Sequence, residues 1–232
     1  ALETALRARG RYDLLARSVE GRLARAESPA DAARALADLA FLHAEHLGGL
    51  AAAEGRIRDR ARAIHSGLNE GVDSDDRAWA ALGRVYDFLG DASAEADVLE
   101  RRVSGALASG STELEPDAFY RLAEIRLHDA PALARGIEVL ERALELAPDL
   151  ARAERLLRDA LESQPDSEAL SALFERVARA KGDDLLLVEA LSKVVALPGA
   201  HTEALREGVA LAERLERSDL CEALLRSGVE RD

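Results

Sequence analysis

Apolar residues along this chain recur at spacings of three and four, and Gly, Pro and Asp interrupt them at short intervals. Offsets of three and four share one face of an α-helix, so the pattern predicts helices throughout; no stretch shows the alternation of a half-buried strand. The breaks divide the chain into helices over 1–9, 11–27, 29–47, 49–69, 74–89, 92–108, 115–129, 131–147, 149–163, 166–181, 183–197, 201–216 and 218–230. Connections this short turn each helix back against its predecessor. At "SPAD" (28–31), "APDL" (147–150), "SQPDSE" (163–168) and "LPGAHTE" (197–203), Pro or a capping residue falls on a junction. The most polar junctions, 69–76 and 108–116, are the expected flexible points.

Some helices repeat. "RGRYDLLARSVEGRL" (9–23), "LGDASAEADVLERRVSGAL" (89–107) and "KGDDLLLVEALSKVVAL" (181–197) each read as a Gly turn followed by a helix with inward aliphatics. The separation of about 80 to 90 residues implies a super-repeat of several stacked helices. After the first two copies comes a helix ending in Leu-His, at 35–43 and 119–128.

Within 79–90, Trp79, Leu82 and Tyr86 form one helical stripe, Gly83 leaves room for a neighbouring helix, and Gly90 stands at the turn. This W-x2-L-G-x2-Y spacing resembles the first-helix signature of the tetratricopeptide repeat family. A second copy runs over 117–148: Phe119, Leu122 and Ala123 resemble the first helix, while Gly136, Leu140, Ala143 and Pro148 match the second helix and its stop. The match departs after Tyr86, where aligning Ala96, Leu99 and Val103 requires about one inserted residue. It departs again at Phe174, and helix 149–163 has no evident partner. The resemblance implies an all-α, right-handed solenoid of stacked antiparallel hairpins with 12–13 helices: divergent repeats over 1–73, the clearest units over 74–148, and divergent repeats over 149–232.

Composition narrows the class further. The chain is 48% hydrophobic but only 3% aromatic, and that apolar content is mostly Ala, Leu and Val. Ala, Leu, Arg and Glu lose little side-chain entropy in a helix, which supports an all-helical chain with a continuous core. A net charge of -13 repels phosphate backbones and anionic lipid surfaces, so nucleic acid and membrane insertion are excluded as expectations. No apolar run approaches the roughly 20 residues that a spanning helix needs. The first residues lack a signal-peptide profile, and the chain has no Met. The expectation is a piece of a longer protein, cytoplasmic rather than periplasmic in preference. Cys221 is the single cysteine and is expected to pack in the last helix.

Chemistry-bearing motifs are few. His43 and His46 share a helix face, but no third ligand lies near in sequence, so no metal is expected. "DSDD" at 73–76 reads as a helix cap rather than a calcium loop. The acid pairs Asp75–Asp76, Asp183–Asp184 and Glu113–Glu115 fall at turns or helix starts, where caps and the helix dipole favour acids. No phosphate loop or nucleophile elbow is present, so neither an enzyme nor a cofactor is expected.

The resemblance therefore implies a protein-interaction scaffold that takes a partner peptide or helix on the concave side of its first helices. A regulatory segment of a larger signalling protein and a helical-toroid enzyme are the alternatives. If Trp79 and Phe119 face the core, the groove-facing residues are Arg77, Arg84 and Asp87 in one unit and Tyr120 and Glu124 in the next. Arg84 and Tyr120 are the preferred anchors, because Arg and aromatic residues carry most interface energy. Tyr120, one residue out of register with Phe119, is equally open to a place in the core. A buried Trp79 implies that Trp79→Ala costs roughly 3 to 5 kcal/mol; an unchanged urea midpoint would put the indole on the surface.

Overall fold

The computed structural model describes residues 2–70, 75–109, 115–199 and 202–229. Parts of the two polar junctions, with Asp73 and Glu113, lie outside them. The described residues form thirteen α-helices, one 3-10 turn over 130–132, and no strand. They belong to two compact units, Ala1–Glu115 and Pro116–Asp232. The two clearest repeat copies thus fall in different units.

The first unit comprises α1 (Leu2–Ala8), α2 (Tyr12–Ala24), α3 (Pro29–His46), α4 (Glu54–Glu70), α5 (Asp76–Phe88) and α6 (Ala92–Ser109). Each helix packs on the next, and α3 also packs extensively on α5. Ala33, Ala40, Ala61, Ala78 and Ala81 are fully buried, so these helices approach over small side chains. The start of α3 is set by Ser28, whose hydroxyl accepts the Asp31 N–H at 3.1 Å, with Pro29 in the first turn. Asp75 begins α5 by accepting the Arg77 N–H at 3.0 Å. Residues 50–53, placed in a helix by the apolar pattern, form a turn instead, after Gly48 and Gly49 with φ of 80° and 101°. Two successive left-handed residues stop a right-handed helix.

The second unit comprises α7 (Pro116–Leu127), α8 (Leu133–Leu146), α9 (Leu150–Ser163), α10 (Glu168–Lys181), α11 (Asp184–Val195), α12 (Thr202–Arg214) and α13 (Ser218–Val229). Sequential neighbours pack together, and α7 reaches α9, α8 reaches α10, and α11 reaches α13. The helix without an evident partner, α9, therefore has three: α7, α8 and α10. Asp149, Ser167 and Asp183 cap α9, α10 and α11 through their side-chain oxygens.

The recurring Gly turns share one geometry. Gly10, Gly90 and Gly182 have φ of 63°, 63° and 67°, the left-handed region that a side chain disfavours, each just before one of the similar helices. The apolar stripes also bury as expected: Trp79, Leu82 and Tyr86 on α5, Ala96, Leu99 and Val103 on α6, and Phe119, Leu122 and Ala123 on α7.

One glycine differs from expectation. A Cβ at Gly83 would meet only Val98 Cγ1 at 3.4 Å, which is ordinary contact, so no tight backbone approach occurs there. The close approach is at Gly136, where a Cβ would stand 2.8 Å from Leu127 N and 2.9 Å from the Arg126 carbonyl carbon. Backbone atoms cannot swing aside as a side chain can. Gly136→Ala should therefore destabilise by about 1 to 3 kcal/mol through overpacking, while Gly83→Ala should stay within about 1 kcal/mol of wild type because gained helix propensity offsets the contact. Urea midpoints compare the two directly, and equal losses would contradict this account.

Candidate binding groove

Burying Trp79, Leu82 and Tyr86 turns the other side of α5 outward. That side carries Arg77, Ala80 and Arg84 at spacings of three and four. On α6, burial of Ala96, Leu99 and Val103 likewise turns out Asp97, Arg101, Ser104 and Gly105. With Arg34 of α3 and His65 and Asn69 of α4, these residues line an open groove of about 1620 Å³. The small side chains at Ala80, Ser104 and Gly105 leave its centre clear, and a Cβ at Gly105 would meet nothing within 4 Å.

Trp79 links the groove to the core. The indole is 2% exposed. The Arg101 guanidinium lies 5.1 Å from its ring centre, and the His65 ring meets it edge-on at 5.5 Å. Its Nε1–H has no hydrogen-bond partner among the described residues. His65 Nδ1 lies 3.2 Å from the Tyr86 hydroxyl. Burial pushes the Tyr86 pKa up, with Asp91 adding to the effect, so the phenol stays protonated and can donate to Nδ1. That assignment puts the hydrogen of the neutral imidazole on Nε2. Burial also pushes the His65 pKa down, opposed by Asp97 and reinforced by Arg101.

Several groove charges are already matched. Arg34 pairs with Asp31 at 2.7 Å and with Asp75 at 2.8 Å. Ser28 and Arg34 hold the Asp31 carboxyl below its usual range. Arg102 places both Nε and a terminal nitrogen on Asp76, at 2.9 and 3.0 Å. The acid pair Asp75–Asp76 thus serves a cap and two ion pairs.

Of the five residues expected to share a groove, Arg77 and Arg84 do line one. Asp87 is exposed on α5 but does not line it. Tyr120 is 2% exposed and belongs to the core of the second unit, so the expectation of an exposed anchor there is corrected. Its hydroxyl donates to the Ala147 carbonyl and accepts the Asp149 N–H, both at 2.9 Å, and Arg152 lies over its ring at 4.8 Å. Both backbone partners are far along the chain, which local spacing does not register. Glu124 is half-buried and pairs with Arg121 at 3.3 Å.

Arg101 and His65 lie on α6 and α4, outside the first-helix face on which the repeat resemblance places a groove. The signal for Arg101 was present in the 97, 101, 104 and 105 spacing opposite the α6 core stripe. His43 and His46 separate in their surroundings: His43 borders a small apolar cleft with Leu23, Leu36 and Ile57, whereas His46 stacks on Tyr12 at 3.8 Å and meets Phe41 edge-on. Among the described residues, no group of three or more His, Cys, Asp or Glu could hold a metal ion, and no helix is long and apolar enough to cross a membrane. Cys221 is half-buried, with its Sγ 3.8 Å from the Val209 carbonyl.

His65 should give stability a pH dependence with a defined sign. Its folded pKa lies below the ordinary value near 6.5, so the unfolded chain takes up the proton first as pH falls. The stabilising effect of a neutral His65 is complete above about pH 6.5 and is lost as pH drops toward the lowered folded value. Between about pH 7.5 and 5.5, Tm should fall more for wild type than for His65→Gln; parallel curves would show that His65 does not carry this dependence.

The sequence matches no protein-family model and no curated protein.

Proposed function

We propose that this chain is a non-catalytic interaction scaffold, a right-handed solenoid of tetratricopeptide type, whose first unit takes a segment or helix of a protein partner in the groove between α3, α4, α5 and α6. The open groove carries the reading: its walls are the outward faces of two helices whose inward faces are core, so contact there costs the fold nothing. Packing of α3 on α5, α7 on α9 and α8 on α10 supports stacked hairpins, since alternate helices touch when hairpins stack. The matched state of Asp75 and Asp76 favours binding over catalysis, because carboxylates held in a cap and in ion pairs are poor proton shuttles. The net charge of -13 favours a protein partner over nucleic acid.

A bulky residue at Gly105 tests the groove without disturbing the core. The position is exposed, helical and open, so Gly105→Trp should preserve or slightly raise Tm while filling the groove. Peptides selected from a random display library on this 232-residue chain should bind the variant at least roughly ten-fold more weakly than wild type. Selected peptides that bind both chains equally would remove the groove reading.

A further inference from the structure

A second cavity of the first unit shares no residue with the groove. It lies where α2, α3 and α4 meet and has a volume of about 260 Å³. Its floor is apolar: Leu23 of α2, Leu36 and Leu39 of α3, Ile57 of α4 and Ala53 just before α4 are all buried. A local feature keeps that floor open. Gly48 and Gly49 end α3 in the left-handed region, the turn over 50–53 follows, and the residue it brings to the cleft is the small Ala53.

The polar lining consists of exposed Glu20, Arg56 and Arg60 and half-buried His43, which places these groups at the mouth. The two arginines differ from their neighbours on α4. Arg58 pairs with Glu54 at 2.9 Å and Arg62 with Asp59 at 4.0 Å. Arg56 and Arg60 make no ion pair among the described residues, and neither does Glu20. The mouth thus sets two guanidinium groups against one carboxylate, and that carboxylate is not within ion-pair reach of either. Arg56 and Arg60 are four residues apart on one helix face, about 6 Å along the axis, where like charges repel. An anion between them relieves the repulsion and is held by charge-assisted hydrogen bonds from two forked donors.

A buried apolar floor with a few polar groups converging at its edge is the usual build of a small-molecule site. The volume limits the occupant. At about 30 Å³ per heavy atom, the share of a molecule in liquid water, the cleft takes about nine heavy atoms. An apolar body of that size with one terminal carboxylate fits both parts: the body displaces water from the leucine floor, and the carboxylate stays at the solvated mouth between the arginines. A second carboxylate would be driven toward Glu20, which favours a monoanion.

We propose that this cleft binds a small amphipathic monocarboxylate, about the size of an eight-carbon fatty acid, with its hydrocarbon on Leu36, Leu39 and Ile57 and its carboxylate between Arg56 and Arg60, independently of what the groove takes. Octanoate is titrated into the isotope-labelled 232-residue chain and followed by NMR, with octanol, octylamine and acetate as matched probes. Octanoate should bind saturably with Kd at or below about 1 mM and shift the methyl signals of Leu23, Leu36, Leu39 and Ile57. It should bind at least roughly ten-fold more tightly than any of the other three probes. Arg56→Gln/Arg60→Gln should weaken octanoate roughly ten-fold and leave octanol unchanged, whereas Glu20→Gln should tighten octanoate by about two- to five-fold. All three positions are exposed, and a circular dichroism melt checks folding of each variant.

Equal affinity for octanoate and octanol, or an octanoate affinity unchanged by Arg56→Gln/Arg60→Gln, would make this a neutral apolar cleft and overturn the proposal. Acetate binding as tightly as octanoate would assign the arginines to any small anion and also overturn it. Shifts confined to residues away from the cleft, or no saturation below about 10 mM, would overturn it as well.

Discussion

Burial of Trp79 orients everything on α5. A ring of that size removed from water contributes several kcal/mol, more than any polar contact nearby. With the indole inward, beside His65 of α4 and under Arg101 of α6, the rotation of α5 about its axis is set. Leu82 and Tyr86 follow into the core, and Arg77, Ala80 and Arg84 must face out. The groove is thus a consequence of core packing rather than a separate construction. The unsatisfied Nε1 is a polar cost that the burial of the ring outweighs.

The second unit is held by a core of Leu, Val and Ala around Phe119 and Phe174, supplemented with long-range polar ties. Tyr120 joins α7 to the junction of α8 and α9 through both halves of its hydroxyl, and Gln164 donates to the Leu127 carbonyl at 2.8 Å. Both satisfy backbone groups at helix ends, which lack partners within their own helices. Exposed ion pairs then span helices: Arg158 to Glu189, Lys181 to Glu154, and Arg179 to Glu207 as a two-nitrogen fork. The Glu207 carboxyl is held below its usual range by Arg179. Solvent screening leaves such pairs about 0 to 1 kcal/mol each, so they bias register more than stability. Ser171, fully buried and with no partner for its hydroxyl among the described residues, works slightly against the fold.

The groove lining carries both signs: Arg34, Arg77, Arg84, Arg101 and Arg102 stand with Asp75, Asp76, Asp97, Glu100 and Glu115. Arg34 and Arg102 in the groove, like Arg152, Arg158 and Arg179 in the second unit, bridge different helices, because acids are abundant and helix packing brings them within reach. On the outward side of α5, Ala80 stands between Arg77 and Arg84, and the Asp87 carboxylate follows one turn beyond Arg84.

Helix positions, capping residues and the core stripes were legible in the sequence because each depends on residues within about one or two turns of one another. Ser28, Asp75, Asp149, Ser167 and Asp183 cap where local chemistry requires, and Gly10, Gly90 and Gly182 turn where only glycine is at ease. Arg77 and Arg84 were legible as groove residues for the same reason, being the complement of the Trp79 stripe. Only the tertiary structure decided that Tyr120 is core, that the tight backbone approach is at Gly136 rather than Gly83, that α9 packs on α7, α8 and α10, and that Arg101 and His65 complete the groove. Those outcomes depend on which helices meet and how closely, and periodicity along one helix records a buried face without recording what lies against it.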